Sequence, residues 1–372
     1  MAEFKGVMVC AEFVNETFMS HGGTKDNENP PSPPFPKGGE GGFFEKGGLG
    51  GFSGGKMSPI TMELLGIGRR LADDLGEELS ALLIGKEAVP FSRQAIAYGA
   101  EKVYLVSGPL LDSYNSDAYT GAIISVCRQV NPSIMLLGQT DTGRDLAPRL
   151  AVGLGGGLAM DCIDLSIDHE TKLMLQTRPV FGGNAYAVMI TPTARPQIAT
   201  VRPKTMSPLE RDDSRQGEVV PLEIGIESSM IKAEIIETVK EEVEGIKLEE
   251  AEIVVTGGRG IGTVEGFDIL RELARVLGGA VGATRAACDE GLTPATMQVG
   301  QTGKIVSPNL YIAVALSGAV QHLAGCSGSK HMVVINTDPD AYIFKVAEWG
   351  IVADYKTALP PFIEKLKELS TQ

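Results

Sequence analysis

Residues 252–285 read EIVVTGGRGIGTVEGFDILRELARVLGGAVGATR. An apolar run of strand length, EIVVT, ends in glycines, a helix-period segment follows over 264–278, and a second short apolar run, AVGA, comes next. The alternation then continues through a loop carrying QVGQTG, strand YIAVAL, a helix from Ser317, strand MVVIN, a helix over 339–348, strand GIVAD and a last helix from Pro360. Strands alternating with helices imply right-handed crossovers and a parallel sheet, here a doubly wound α/β unit over 241–372. In such a sheet the ligand sits beyond the carboxyl ends of the strands. The polar residues fall there: Gly257-Gly258-Arg259-Gly260, Thr284-Arg285, Ser317-Gly318, Asn336 and Asp354 each follow a strand. Five strand ends converge on one crevice.

Towards the N-terminus the same alternation recurs. Residues 7–12 (VMVCAE) read as a strand, and Ser58-Pro59 opens a helix with a hydroxyl cap and a proline at the first helical position. Strand LSALLIG, a helix over about 91–99, strand KVYLV, a helix over about 117–129, strand IMLLGQ and a helix on DTGRDLAPRLAVGL follow. From Cys162 to about Ile236 the chain reads as successive strands, an antiparallel extension of the same domain, and the acidic stretch 237–252 as a linker or boundary helix. The expectation is an N-terminal parallel-sheet α/β domain over 1–240 and a second α/β domain over 241–372, consistent with a 372-residue length. The first domain carries a Gly/Pro-rich insertion over about 20–56, with 12 glycines and 5 prolines among the 34 residues from Gly22 to Gly55. Such a segment buries too little apolar surface to order itself.

Composition excludes several classes of function. A net charge of −14 argues against a nucleic-acid or anionic-membrane partner. No apolar run is long enough to span a bilayer, and MAEFKGVMVCAEF has neither the features of a signal peptide nor those of a transit peptide, so a cytoplasmic location is expected. Cys10, Cys127, Cys162, Cys288 and Cys326 form no CxxC pair, and His21, His169, His322 and His331 share no metal-ligand spacing. No metal site is expected. GGRGIG does not fit GxGxxG because Thr263 takes the last glycine's place, which weakens a nicotinamide-dependent dehydrogenase.

Each crevice residue has a bland reading beside the functional one. A glycine-rich turn and the helix start at Ser317-Gly318-Ala319 suit a pyrophosphate, or are tight turns and nothing more. Arg285 either meets an anionic ligand or forms a surface ion pair, with Asp289 the nearest carboxylate in sequence. His322 is a site residue or a packed helix histidine, and Asn336 and Asp354 are ligand contacts or helix caps.

GGRGIG, GATRAACDEG, MQVGQTGKIVSPNLYIAVALSGAVQHLAG, VVINTDPDAYIF and GIVADY, in this order and spacing, resemble the FAD-binding domain of the electron transfer flavoprotein alpha subunit. SPITMELLGIGRRLADDLG, GRDLAPRLA, RPVFGGNA and PQIATVRP resemble its first domain. The resemblance implies a Rossmann-like FAD-binding domain and a heterodimer with a beta subunit. It implies an electron carrier rather than an enzyme with its own substrate, serving flavoprotein dehydrogenases of the acyl-CoA type in fatty acid β-oxidation and passing electrons to a quinone oxidoreductase or another acceptor. An electron-bifurcating, NADH-linked variant and a non-redox nucleotide-binding subunit are the alternatives. By position it places Arg259, Thr284 and Arg285 against the cofactor, together with Val299, Gly300, Gln301 and Thr302. Ser317, Gly318, Ala319, Val320, Gln321 and His322 form a further group, and Asn336, Asp354 and Tyr355 complete the set, with Asn336 and Asp354 on the adenosine side. Arg285, Thr302 and His322 are the implied flavin-tuning residues. A guanidinium about 4 Å from a reduced, anionic flavin at an effective dielectric near 20 stabilises it by roughly 4 kcal/mol, on the order of 170 mV for one electron. Against the family's usual pattern this chain has Thr284 for Ser, Ala315 for Gly, Tyr342 for Pro, and Glu348-Trp349 for Asp plus an aromatic residue.

Overall fold

Ser58 starts the first long helix as its sequence suggests: its hydroxyl accepts from Thr61 N–H, Pro59 needs no donor, and Gly76 ends the helix. The computed structural model that shows this describes residues 3–15, 55–183, 185–226, 228–233, 235–236 and 246–370. The Gly/Pro-rich segment 16–54, and 237–245 of the expected linker, lie outside the described residues.

In chain order the first region comprises β1 (Val7–Cys10), β2 (Phe13–Asn15), β3 (Gly55–Met57), α1 (Pro59–Leu75), β4 (Leu79–Ile84), α2 (Ser92–Ala97), β5 (Lys102–Val106), α3 (Ser116–Val130), β6 (Ile134–Gly138), α4 (Asp141–Leu154) and β7 (Gly157–Cys162). Three further strands, β8 (Asp164–Ile167), β9 (Met174–Val180) and β10 (Ala185–Met189), precede β11 (Gln197–Val201) and β12 (Glu218–Leu222). Seven strands form one parallel sheet in the order β12-β5-β4-β1-β6-β11-β7. Every residue of β4 and β6 is buried, as a sheet covered on both faces demands. Leu64, Leu65 and Leu71 of α1 pack on one face, and Ala122, Val126 and Leu150 of α3 and α4 on the other.

The expected antiparallel extension needs one correction. Only β8, β9 and β10 pair antiparallel, as a separate three-stranded sheet. β11 and β12 return to the parallel sheet, because their apolar faces lie against the cores beneath α1 and α3, with Ala199, Val201 and Leu222 packed there.

The second region comprises β13 (Ile253–Gly257), α5 (Gly266–Leu277), β14 (Ala280–Ala283), α6 (Arg285–Asp289), β15 (Leu310–Val314), α7 (Val320–Cys326), β16 (His331–Asn336), β17 (Trp349–Val352) and α8 (Tyr355–Ser370). Its five parallel strands run β14-β13-β15-β16-β17. Phe267, Leu270 and Leu273 of α5 meet Leu359 and Ile363 of α8 on one face, while Val306, Leu323 and Ile343 cover the other. Three helix limits differ from expectation. Residues 339–348 hold only a 3-10 turn, Tyr342–Val346. The last helix begins at Tyr355, with Pro360 and Pro361 inside it, and the helix expected from Ser317 begins at Val320.

Arg202, 2% exposed, ties the regions together: Nε and Nη2 lie 2.8 and 2.7 Å from the two oxygens of Asp161, and Nη1 lies 3.0 Å from Ser327 Oγ at the end of α7. Lys204 Nζ donates to the carbonyls of Glu250 and Ala251 at 3.2 and 2.8 Å.

The segment outside the description departs on β2 and returns on β3. These pair antiparallel, Asn15 opposite Gly55, so Gly55 and Lys56 of the expected insertion belong to a strand. A two-residue Asn-Gly turn closes such a ribbon. Replacing residues 16–54 with that dipeptide is therefore expected to leave the unfolding midpoint and flavin binding unchanged. Loss of flavin from the shortened chain is the opposing outcome.

Candidate functional site

The strand order reverses between β13 and β15, and a doubly wound sheet opens its crevice there. Gly258 N–H donates to Val314 O at 2.9 Å, and Gly260 N–H to Ala315 O at 3.2 Å. A Cβ at position 258 would lie 2.2 Å from Ala315 O, so the two strand ends can close on each other only through glycine. Ala315 has φ 53, a left-handed conformation uncommon for a residue with a Cβ. Asn336 braces the turn after it: Nδ2 donates to Leu316 O at 2.8 Å, and Oδ1 accepts from Asp338 N–H at 3.0 Å. Gly318, with φ 79, turns the chain where a Cβ would meet Ile343 N at 2.6 Å.

The N–H groups of Leu316, Ser317, Gly318 and Ala319 meet no protein acceptor among the described residues. A concave run of free amides is a ready anion site. The resulting crevice is about 710 Å³ and is lined by Arg259, Thr284, Arg285, Val299, Gly300, Gln301, Thr302, Ser317, Gly318, Ala319, Gln321, His322 and Asn336. Leu316, Ser317, Gly318 and Ala319 are among the residues that line the crevice. Ser317 and Gly318 form a turn that precedes the helix, and Ala319 is the N-cap of the seven-residue α7.

The cations stand at the mouth. Arg285 is the first residue of α6; its side chain is 68% exposed, with Nε 3.3 Å from Asp289. Arg259, 70% exposed, lies 3.8 Å from Glu290. Arg285 thus forms the ion pair of the bland reading, and does so on the rim of the crevice. Thr284 caps α6 by accepting from Ala287 N–H at 3.4 Å. Thr302 Oγ1 accepts from Gln298 Nε2 at 2.9 Å.

His322 is 6% exposed with both ring nitrogens engaged, Nδ1 3.0 Å from Val299 O and Nε2 2.9 Å from Tyr311 Oη. Burial lowers its pKa from 6.5 to about 4, opposed by the Val299 hydrogen bond. The ring is neutral at pH 7.

Three of the expected site residues lie outside this lining. Val320 is 47% exposed and packs towards Gly182 of the first region. Asp354 accepts from Lys356 N–H at 2.9 Å at the start of α8, and Tyr355 is buried with its hydroxyl donating to Ile261 O. Gln298, Ala315, Asp338 and Asp289 line the crevice without having been singled out as site residues. Asp289 and Asp338 follow Arg285 and Asn336 closely in sequence, which is the only signal that could have found them. Among the described residues no group of three or more His, Cys, Asp or Glu could hold a metal, and no helix is long and apolar enough to cross a membrane.

Comparison with known proteins matches residues 52–225 to the electron transfer flavoprotein domain and 247–327 to the electron transfer flavoprotein FAD-binding domain. The alpha subunit from Thermoanaerobacterium thermosaccharolyticum is 48% identical over 85% of this chain and 95% of its own length. That from Megasphaera elsdenii is 46% identical over 84% and 94%, and that from Bacillus subtilis 41% identical over 87% and 97%.

A histidine held neutral when folded costs stability wherever the unfolded chain protonates it. The His322 contribution is complete above about pH 6.5 and is lost as pH falls towards 4, by up to about 3 kcal/mol. The difference in unfolding free energy between wild type and His322→Gln is expected to shrink over that range. A difference independent of pH would mean that His322 is not held neutral.

Proposed function

The chain belongs to the electron transfer flavoprotein family as an alpha subunit, and from that premise we propose that its strand-end crevice holds FAD and that the protein carries electrons in a heterodimer with a beta subunit. The observation that carries this reading is the backbone at the switch point. Gly258 lets β13 and β15 close, Gly318 turns the chain, and four successive residues of the crevice lining, Leu316 to Ala319, keep N–H groups with no protein acceptor among the described residues. FAD, when bound, supplies one- and two-electron transfer; the protein's part is to hold it and set its potential.

The amides of Leu316 to Ala319 are assigned to the pyrophosphate, which they meet as preorganised donors. Asn336 orients that turn, and Arg259 and Arg285, paired with the neighbouring Glu290 and Asp289 at the end of α6, bring positive charge to the groove. Arg285 favours the extra negative charge of a reduced cofactor. Its exposure and the Asp289 carboxylate screen it, so its effect is expected well below the roughly 4 kcal/mol that an isolated pair would give. Thr302 presents a hydroxyl whose oxygen already accepts from Gln298, leaving its proton to donate into the crevice. Val299, Gly300 and Gln301 form the floor, and Thr284, Gln321 and His322 its flanks.

The donors of electrons are proposed to be flavoprotein dehydrogenases of the acyl-CoA class and the acceptor a quinone oxidoreductase, in the cytoplasm. The two units are proposed to be 1–240 and 241–372, in keeping with one parallel sheet on each side of the boundary.

Co-expressed with its beta subunit, the chain is expected to purify yellow, with one FAD in the alpha crevice. A colourless heterodimer that takes up no added FAD would overturn the reading. Arg285→Ala is expected to lower the potential of the bound flavin by tens of millivolts, since one electron carries about 59 mV per tenfold change in equilibrium. An unchanged redox titration would remove Arg285 from its assigned role.

A further inference from the structure

Lys304 closes the loop that carries Thr302. Its N–H donates to Gln298 O at 2.7 Å, its carbonyl accepts from Gly300 N–H at 3.1 Å, and Gly303 N–H reaches Gly300 O at 3.0 Å. The two limbs of this loop are fastened differently. Gln301 N–H donates to Gln321 O of α7 at 2.7 Å, and Gly300 lies against Gly325, where a Cβ would meet Gly300 N at 2.4 Å. On the limb 302–304, the backbone hydrogen bonds among the described residues stay within 298–304, and so does the Thr302 bond to Gln298. A second cavity, about 510 Å³, separates this limb from Asp141 and Arg144 of α4, so that side is open and not packed. What ties the limb outward is the Lys304 ammonium, with Nζ 2.6 Å from Glu249 Oε1 and 3.6 Å from Asp141 Oδ2.

Of these two carboxylates, Glu249 is the one held in place. It lies near the end of the acidic stretch 237–252, in a turn where Glu250 and Ala251 N–H donate to Lys247 O at 3.1 and 3.0 Å. Leu248 beside it is buried in the core, and Lys204 of the first region grips the carbonyls of Glu250 and Ala251. Asp141, 82% exposed, adds little to the pairing.

We propose that Glu249 and Lys304 are positioning residues for the cofactor: their ion pair clasps the free limb of the loop and so holds the Thr302 hydroxyl at the crevice. This rests on the FAD reading above and deepens it. Neither side chain lines the crevice, and both act through the loop.

A clasp and a plain effect of charge on the cofactor are separable by sign. Acting through space, loss of the ammonium in Lys304→Met lowers the potential of the bound flavin, and loss of the carboxylate in Glu249→Gln raises it. Acting as a clasp, both substitutions release the same limb and weaken the donation from Thr302 to a reduced, negatively charged cofactor. In redox titrations of the heterodimer with the beta subunit, both variants are therefore expected to lower the potential. The expected size is about threefold in the one-electron equilibrium, roughly 28 mV at 59 mV per decade. The double variant is expected to fall no further than either single one, because the pair acts as a unit. Hydrogen exchange in the heterodimer without FAD supplies the second measurement. The amides of Gly300, Gly303 and Lys304 are expected to exchange about tenfold faster or more in each variant, and those of β13 at the wild-type rate.

Shifts of opposite sign in the two single variants, or a double variant restored to the wild-type potential, would overturn the proposal. So would unaltered exchange of the three loop amides. If the wild-type heterodimer takes up no FAD, the functional reading fails, and the exchange measurement, made without cofactor, still decides whether the pair holds the loop.

Discussion

The second region depends on how closely two strand ends can approach. β13 and β15 finish side by side, and the carbonyl of Ala315 occupies the space that any side chain at position 258 would need. Because that contact is backbone on backbone, the chain after β15 turns sharply, and its next four amides meet no protein acceptor among the described residues. Lining, brace and floor all follow from this. Asn336 reaches across from β16 to hold the turn, and the 299–302 segment runs beneath it. The left-handed Ala315, where the family's usual pattern has glycine, accepts a local conformational cost at this junction.

Electrostatics complement this backbone. The chain is strongly acidic, yet the crevice mouth carries two guanidinium groups, each with an exposed carboxylate 3.3 or 3.8 Å away. Exposed pairs of this kind contribute little, on the order of 0–1 kcal/mol. The carboxylates therefore compete only weakly with an anionic ligand for the two arginines. The histidine behind them is handled differently, with burial keeping it neutral while both ring nitrogens stay bonded.

The alternating pattern was legible from the residues because apolar strand runs such as LLI and IVV differ in period from helices such as that of α5. The strand-end position of Arg259, Thr284, Arg285, Ser317 and Asn336 followed from it, and the crevice gathers all five. Other features depended on tertiary contacts. Ser317-Gly318-Ala319 looks like a helix start, but Ser317 O accepts from Ile343 N–H, and the chain must turn before α7 can begin. β11 and β12 read locally like their antiparallel neighbours, and only the core beneath them returns them to the parallel sheet. Tyr311 looks like one more apolar residue of a buried strand, because its hydroxyl meets His322 eleven residues later.

The β2–β3 ribbon has a wider consequence. The two ends of the 16–54 segment are adjacent partners in one antiparallel pair, so the fold requires only that they meet. Closing a flexible loop costs entropy that grows with the logarithm of its length, about 0.6 kcal/mol for each doubling. The ribbon is thus a graft point, where evolution or an engineer can lengthen the chain, or splice in a whole folded module, at small cost to the sheets on either side.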